Sequence, residues 1–126
     1  MITIDYRDGR SIYQQLVDRI VTLATSGALL PGDQLPSIRQ LSSELSINPN
    51  TVQRAYIELE RAGIVYSVKG RGSFISHDAE ALQQIKHQML FGRIDAAIDH
   101  ALSSGLSGGE IVDHVQAHIE GKEGRT

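Results

Sequence analysis

Apolar residues recur at helical spacing early in the chain, and this pattern predicts a first helix that begins after Ser11. A serine followed three residues later by Gln14 is typical of a helix N-terminus, and Gly27 is a natural end. The segment before this helix, Ile2 to Tyr6, is expected to be a short strand or arm. Residues 28–36 hold two prolines and a Gly-Asp pair, so we expect a loop. One apolar face of the helix is formed by Ile12, Leu16, Ile20, Leu23 and Ala24.

Two further helices follow, separated by only a few residues. Ser37 and Gln40 have the spacing of another helix start, and Ser46 and Ile47 begin a tight turn. Asn48-Pro49 opens the next helix, since Asn is a preferred N-cap and Pro is favoured at the first helical position. Gly63 is expected to end it. The predicted inward positions are Ile38, Leu41 and Leu45 in one helix and Val52, Ala55, Tyr56 and Leu59 in the other.

After Gly63 the spacing changes to the alternation of a β-hairpin. Residues 64–67 and 73–76 are β-prone, and a tip from Lys69 to Gly72 joins them. Two helices joined by a tight turn and followed by a hairpin predict a winged helix-turn-helix, a fold that is mainly α with a small β-hairpin. We expect the alternating set to cover the helices: Ile64, Tyr66 and Val68, with Phe74 and Ser76.

Helical spacing returns from Asp78 and predicts a long amphipathic helix in which Gly92 is a weak point. Ser104 to Leu106 break it, and Ser107 with Glu110 starts a last short helix. We therefore divide the chain into a winged helix-turn-helix domain, 1–77, and a two-helix segment, 78–126. An apolar stripe of this length without a partner usually marks an interface, and we expect dimerisation through Leu82, Ile85, Met89, Ile98 and Leu102. The alternative is that the stripe folds back on the winged helix in a monomer.

Charge is distributed unevenly along the chain. The net charge is −3, yet residues 1–77 carry eight Lys/Arg and seven Asp/Glu, whereas residues 78–126 carry four and eight. The first half is therefore slightly basic and the second acidic, which modestly supports an anionic partner for the first half. The basic residues of the predicted reading unit are Arg39, Arg54, Arg61, Lys69 and Arg71.

Several classes of protein are disfavoured. There are no cysteines, so disulfides and thiolate metal sites are impossible. No apolar run approaches the ~20 residues of a membrane span, and the polar N-terminus is unlike a signal peptide, so we expect a cytoplasmic protein. No P-loop, nucleophile elbow or His-Glu-x-x-His occurs, so we expect neither an enzyme nor a cofactor.

The outward face of the third helix carries side chains that can read bases. Asn and Gln can pair bidentately with adenine, Arg with guanine, and the Thr methyl can contact thymine. In a helix-turn-helix this helix lies in the major groove, so we predict binding to double-stranded DNA. The candidate contacts are Arg39, Asn48, Asn50, Thr51, Gln53, Arg54, Lys69, Gly70, Arg71 and Gly72. Taken singly, Asn48 is also explained as a cap, and Arg54 and Arg61 as partners of Glu58 or Glu60.

The string from Leu35 to Ser76, with IYQQLVDRI and LPGDQLPS upstream, resembles the winged-helix domain of GntR-type bacterial transcription regulators. The short C-terminal part resembles the YtrA subfamily. The resemblance implies a homodimeric repressor that binds an imperfect inverted repeat, often near genes for ABC transporters. It also implies DNA contacts at Arg39, at residues 48–54 and at the wing tip, 69–72.

Two other interpretations stay open at this point. A winged helix can serve as a protein-interaction module that does not read DNA. A regulator can also respond to an effector or metal at its dimer interface, although the effector is unknown. His114 and His118 share a helix face with the spacing of metal ligands, near Glu110 and Asp113, but a solvated polar face is the favoured interpretation.

Overall fold

A computed structural model of the chain describes residues 2–124. Within that range the fold is mainly helical with one small antiparallel hairpin, which confirms the predicted fold class. The elements in chain order are α1 (Ile12–Ser26), α2 (Ile38–Leu45), α3 (Pro49–Arg61), β1 (Val65–Val68), β2 (Gly72–Ile75), α4 (Ala79–Ser103) and α5 (Gly108–Glu123).

The helices begin where their capping residues predict. Ser11 and Gln14 form a complete capping box at α1, and Asn48 caps α3 with Pro49 as its first residue. At α2 only half of the box forms. The Ser37 hydroxyl accepts from the Gln40 N–H at 3.0 Å, but the Gln40 side chain turns away and donates to Glu44. The fourth predicted start, at α5, again has a complete box, formed by Ser107 and Glu110.

Helices α2 and α3 end in the same way, each with a residue of positive φ and a backbone hydrogen bond that closes the last turn. At α3 the Ile64 N–H reaches the Leu59 carbonyl at 2.9 Å, and Gly63 adopts φ +84°. At α2 the Ile47 N–H reaches the Ser42 carbonyl at 3.0 Å, and Ser46 takes the glycine position with φ +55°. This ending needs a left-handed residue, which is usually Gly. The turn of the helix-turn-helix is thus a helix C-terminal motif built on a serine.

Residues 2–89 enclose one apolar core, and α3 lies at its centre. This helix packs against α1, α2 and β1. The predicted inward positions of α3 are confirmed, as are four of the five in α1. The fifth, Ile12, is half-buried at the margin of the core, like Ile38 and Leu45 of α2. The largest fully buried side chains are Leu16, Ile20, Val21, Leu41, Val52, Leu59, Ile64 and Ile75.

The N-terminal segment is an arm without strand structure. Gln15 of α1 is buried, and its side-chain amide exchanges two hydrogen bonds with the main chain of Asp5, at 2.8 and 2.9 Å. The Tyr6 hydroxyl donates to the Leu45 carbonyl at 2.8 Å, at the end of α2. The arm therefore ties α1 to the helix-turn-helix.

The hairpin differs from the predicted one in its inward face. Val65 pairs with Ile75 and both are buried, whereas Tyr66 and Val68 are 37% and 38% exposed. The predicted alternation from Ile64 is wrong beyond that residue, because the Ile64 N–H belongs to the ending of α3 and β1 starts one residue later. Gly72 pairs with Val68, so the tip is shortened to residues 69–71.

The chain forms two compact units, Met1–Met89 and Leu90–Thr126, and α4 runs from the first into the second. Leu82 of α4 is 3% exposed in the core of the first unit, and Ile85 and Met89 pack against that core. In the second unit, no side chain among residues 90–124 is buried. None of the helices in the described part of the chain is long and apolar enough to span a membrane.

Candidate nucleic-acid interface

The inward side chains of α3 fix which of its residues face solvent. Val52, Ala55, Tyr56 and Leu59 are buried, so helical periodicity places residues 50, 53, 54 and 57 on the outer face. Three of the predicted base-reading residues, Asn50, Gln53 and Arg54, are exposed, and Thr51 is half-buried. The outer face therefore presents two amides and a guanidinium, the groups that recognise adenine and guanine edges.

Asn48 has a structural role that restricts its chemistry. Its Oδ1 accepts a hydrogen bond of 2.8 Å from the Asn50 N–H and so caps α3. Bidentate pairing with adenine needs both the oxygen and the nitrogen of an Asn side chain. The cap interpretation of Asn48 is therefore confirmed, while its contact with DNA stays a prediction.

Arg54 is oriented by an aromatic ring on another helix. Its guanidinium carbon lies 3.9 Å from the centre of the Tyr13 ring in α1, which is the geometry of a cation–π contact. The alternative ion pair with Glu58 does not form, because Glu58 pairs with Arg61. Residues 41 positions apart in the sequence meet here, and no local pattern could have revealed Tyr13.

The wing tip presents two exposed cations on a short loop. The Arg71 N–H closes the tip by donating to the Val68 carbonyl at 2.9 Å, while Gly70 and Gly72 adopt φ +78° and +114°. Within residues 2–124, Arg39, Lys69 and Arg71 take part in none of the ion pairs. Exposed cations without a carboxylate partner are suited to phosphate contacts.

A groove of about 470 Å³ brings the start of α2 and the wing tip together. Arg39 and Arg71 both line it, and its described lining contains no carboxylate. Tyr56 forms part of the wall and donates to the Pro36 carbonyl at 2.7 Å. Burial, with a smaller effect from the charge of Glu44, raises the pKa of Tyr56 and so favours the protonated hydroxyl that donates this bond. Four of the predicted contact residues, Arg39, Gly70, Arg71 and Gly72, thus share one basic groove.

The structure adds a candidate on α3 that the sequence analysis did not single out. Ile57 is 47% exposed. It follows Asn50 by seven residues and Arg54 by three, so all three share one helix face. An exposed methyl group on this face is suited to contact with a thymine methyl.

The suggested metal ligands in α5 do not assemble into a site. The rings of His114 and His118 have their centres 6.4 Å apart. Across residues 2–124 there is no group of three or more His, Asp or Glu side chains placed to hold a metal ion.

Comparison with known proteins identifies the family. The family model described as "Bacterial regulatory proteins, gntR family" matches residues 10–75. The HTH-type transcriptional repressor YtrA of Bacillus subtilis is 42% identical over 76% of this chain and 78% of its own length. The regulator YhcF of the same organism is 34% identical over 92% of this chain and 96% of its own length.

Solved structures share the fold along most of the chain. A GntR family transcriptional regulator from Listeria monocytogenes superposes with a TM-score of 0.68 at 32% identity, covering 90% of this chain and 98% of its own. YtrA from Sulfolobus acidocaldarius, a GntR-family transcription factor, gives 0.60 at 36% identity, covering 78% and 97%.

A third structure includes DNA. The DNA-binding domain of AraR in complex with operator ORX1 gives a TM-score of 0.51 at 25% identity, covering 58% of this chain and 87% of its own. These matches show that the chain belongs to the GntR family, in its YtrA-like subfamily, and is a DNA-binding transcription regulator rather than an enzyme.

Proposed function

We propose that the chain is a homodimeric repressor that binds an imperfect inverted repeat beside a promoter in the bacterial cytoplasm. The proposed target is a transporter operon, in keeping with the resemblance to the YtrA subfamily. Repression is supported by the name of the relative that is 42% identical, which is a transcriptional repressor.

The observation that carries the DNA-reading part is the exposed set on α3 and the wing. Asn50 and Gln53 of α3 are free of structural side-chain bonds within the described chain and can pair with base edges in the major groove. Arg39, Lys69 and Arg71 are exposed cations that can contact the backbone or the minor groove. Reading and anchoring groups therefore occur together in the first unit.

The dimer is supported by the exposure of side chains in the second unit. With no buried side chain among residues 90–124, this unit has no core of its own. Segments below about 40 residues usually need oligomerisation, disulfides or metals for stability, and this chain has no cysteine. A second copy is the partner we propose. The side chains available to it, 40–65% exposed, are Leu90, Phe91, Ile94, Leu102, Leu106, Val112, Val115 and Ile119.

The interface expected from the sequence changes accordingly. Leu82 is withdrawn from it, because its side chain is buried in the core of the first unit. Ile85 and Met89 are half-buried against the same core. Ile98, which is half-buried, and Leu102 remain in the proposed interface.

The experiment begins with a random-sequence duplex library, from which the protein enriches its own binding site. We expect two related half-sites with their centres one helical turn, about 10 base pairs, apart or a multiple of it. Arg71→Ala is expected to weaken binding to the enriched duplex by about 1–3 kcal/mol. It should also reduce the slope of log affinity against log salt concentration by about one. Arg93→Ala, which removes an exposed arginine in the second unit, is the matched control and should change neither. Equal affinity of the wild type for the enriched and a scrambled duplex would refute sequence-specific reading.

A further inference from the structure

The wing tip is held from outside the hairpin by one glutamine. Gln34 lies in the loop between α1 and α2, and its Nε2 donates a hydrogen bond of 2.7 Å to the main-chain carbonyl of Arg71. Arg71 lies in the tip, where the strand pairing that ends at Val68 and Gly72 does not reach. The side chain of Gln34 thus supplies a bond that the hairpin itself does not provide.

The approach of this side chain depends on the residue after Arg71. A Cβ atom at Gly72 would lie 2.9 Å from the Gln34 Nε2, closer than real Cβ contacts come. Gly72 also has φ +114°, a conformation that residues with side chains rarely adopt. Glycine at this position therefore both permits the backbone turn and leaves room for the Gln34 amide.

The main chain around Gln34 is fixed along the free edge of β2. The Leu35 N–H donates to the Ser73 carbonyl and the Ile75 N–H to the Asp33 carbonyl, each at 2.8 Å, and Gln34 forms an isolated bridge with Phe74. Because these bonds hold its backbone, Gln34 can reach Arg71 at a low cost in conformational entropy. The same loop leads directly into Ser37, the cap of α2.

We infer that Gln34 is a positioning residue of the DNA-reading surface, because its amide fixes the main chain of Arg71 so that this arginine meets DNA together with Arg39. Gln34, Arg39 and Arg71 line the same groove at the start of α2. An ordered tip loses less conformational entropy on binding than a mobile one, so the bond strengthens binding without contacting DNA. The inference rests on the proposed DNA-reading function, but its first test does not require DNA.

The first test measures order at the tip in the free protein. Gln34→Met keeps the side-chain length and removes the donor. By ¹⁵N relaxation, we expect lower order parameters for the amides of residues 70–72 than in the wild type. Gln34→Lys restores a donor to the same carbonyl and should restore the order.

The matched control for this test is Gln83→Met. The Gln83 Nε2 also donates to a main-chain carbonyl, that of Thr25 at 3.3 Å, but at the end of α1. Its loss should leave the tip amides unchanged. Equal tip order in Gln34→Met and the wild type would overturn the inference, whatever the DNA experiment shows. A thermal melt of each variant checks that the core is intact.

The second test is a cycle of DNA affinities, measured on the duplex enriched from the random library. We expect Gln34→Met to weaken binding roughly three- to tenfold when Arg71 is present, a part of the loss expected for removing the arginine itself. In the Arg71→Ala background the same substitution should change affinity less than about twofold, because Gln34 then has no side chain to position.

The outcomes separate the two proposals. An equal loss in both backgrounds would show that Gln34 acts by a contact of its own and would overturn the positioning role. A wild type that does not discriminate the enriched from the scrambled duplex would overturn the proposed function, while the order parameters would still decide whether Gln34 fixes the tip.

Discussion

Ser46 is the one described residue other than glycine that has a positive φ. It lies in the turn between α2 and α3, where the sequence predicts a turn but not its backbone type. A left-handed conformation costs an L-residue roughly 1–2 kcal/mol, so the turn retains strain at this serine. The strain is tolerated because buried side chains on both helices, such as Leu41 and Val52, fix their separation.

Ser46→Gly is therefore expected to stabilise the fold. Relief of the left-handed strain is partly offset by the greater entropy of glycine in the unfolded chain, leaving a net gain of about 0.5–1 kcal/mol in the free energy of unfolding. Urea denaturation followed by circular dichroism measures it. Ser43→Gly is the control of opposite sign, since Ser43 is an exposed interior residue of α2. It should lose about 0.5 kcal/mol. A loss of stability in Ser46→Gly would contradict the assignment of strain.

At the scale of elements, the helices were easier to predict than the hairpin. Helix starts depend on local groups, such as Ser11 with Gln14 or Asn48 before Pro49, so the sequence predicts them directly. The inward face of the hairpin depends on where β1 begins. That residue is set by how α3 ends at Gly63, and a shift of one residue exchanges the two faces of a strand.

Contacts between elements orient the proposed reading face of α3, and the pair of Tyr13 and Arg54 provides a test. Exposed cation–π contacts contribute about 0.5–1 kcal/mol. A double-mutant cycle of unfolding free energies with Tyr13→Leu and Arg54→Gln is expected to give a coupling in this range. Tyr13→Phe keeps the ring and should retain most of it. A coupling near zero would mean that the guanidinium leaves the ring in solution, and that α1 does not orient Arg54.

At the scale of the whole molecule, the two units have different sources of stability. The first unit has a core that includes Leu16, Leu59 and Ile75, each fully buried. The second has three half-buried side chains among residues 90–124, Ile98, Ala101 and Ile111, and none that is buried. We therefore expect the first unit to fold within one chain and the second to depend on its partner.

The combined substitution Ile94→Asp with Val115→Asp tests this dependence. Both side chains line an apolar groove of about 280 Å³ in the second unit, and they are 52% and 42% exposed. Sedimentation should show the mass of two chains for the wild type and of one for the variant, because the charges would have to be buried between copies. Helical ellipticity should also fall as the second unit unfolds.

The control for the dimer experiment is His100→Asp, an exposed polar position of α4 that lies across the helix from Ile94 and Ile98. It adds the same side chain and should leave the mass unchanged. A wild type that sediments as one chain with full helicity would refute the dimer, since the second unit would then be stable alone.

The sequence by itself determined the helix starts and the order of elements, and it predicted which helix reads DNA, because these depend on capping groups and periodicities within a few residues. The observed helices and hairpin agree with the predicted fold class, and the family match over residues 10–75 agrees with the predicted family. Only the tertiary structure decided that Leu82 belongs to the first core, that Tyr13 holds Arg54 and that Gln34 holds Arg71. Each of these joins residues far apart in the chain, and no local pattern encodes which distant surfaces meet when the core closes.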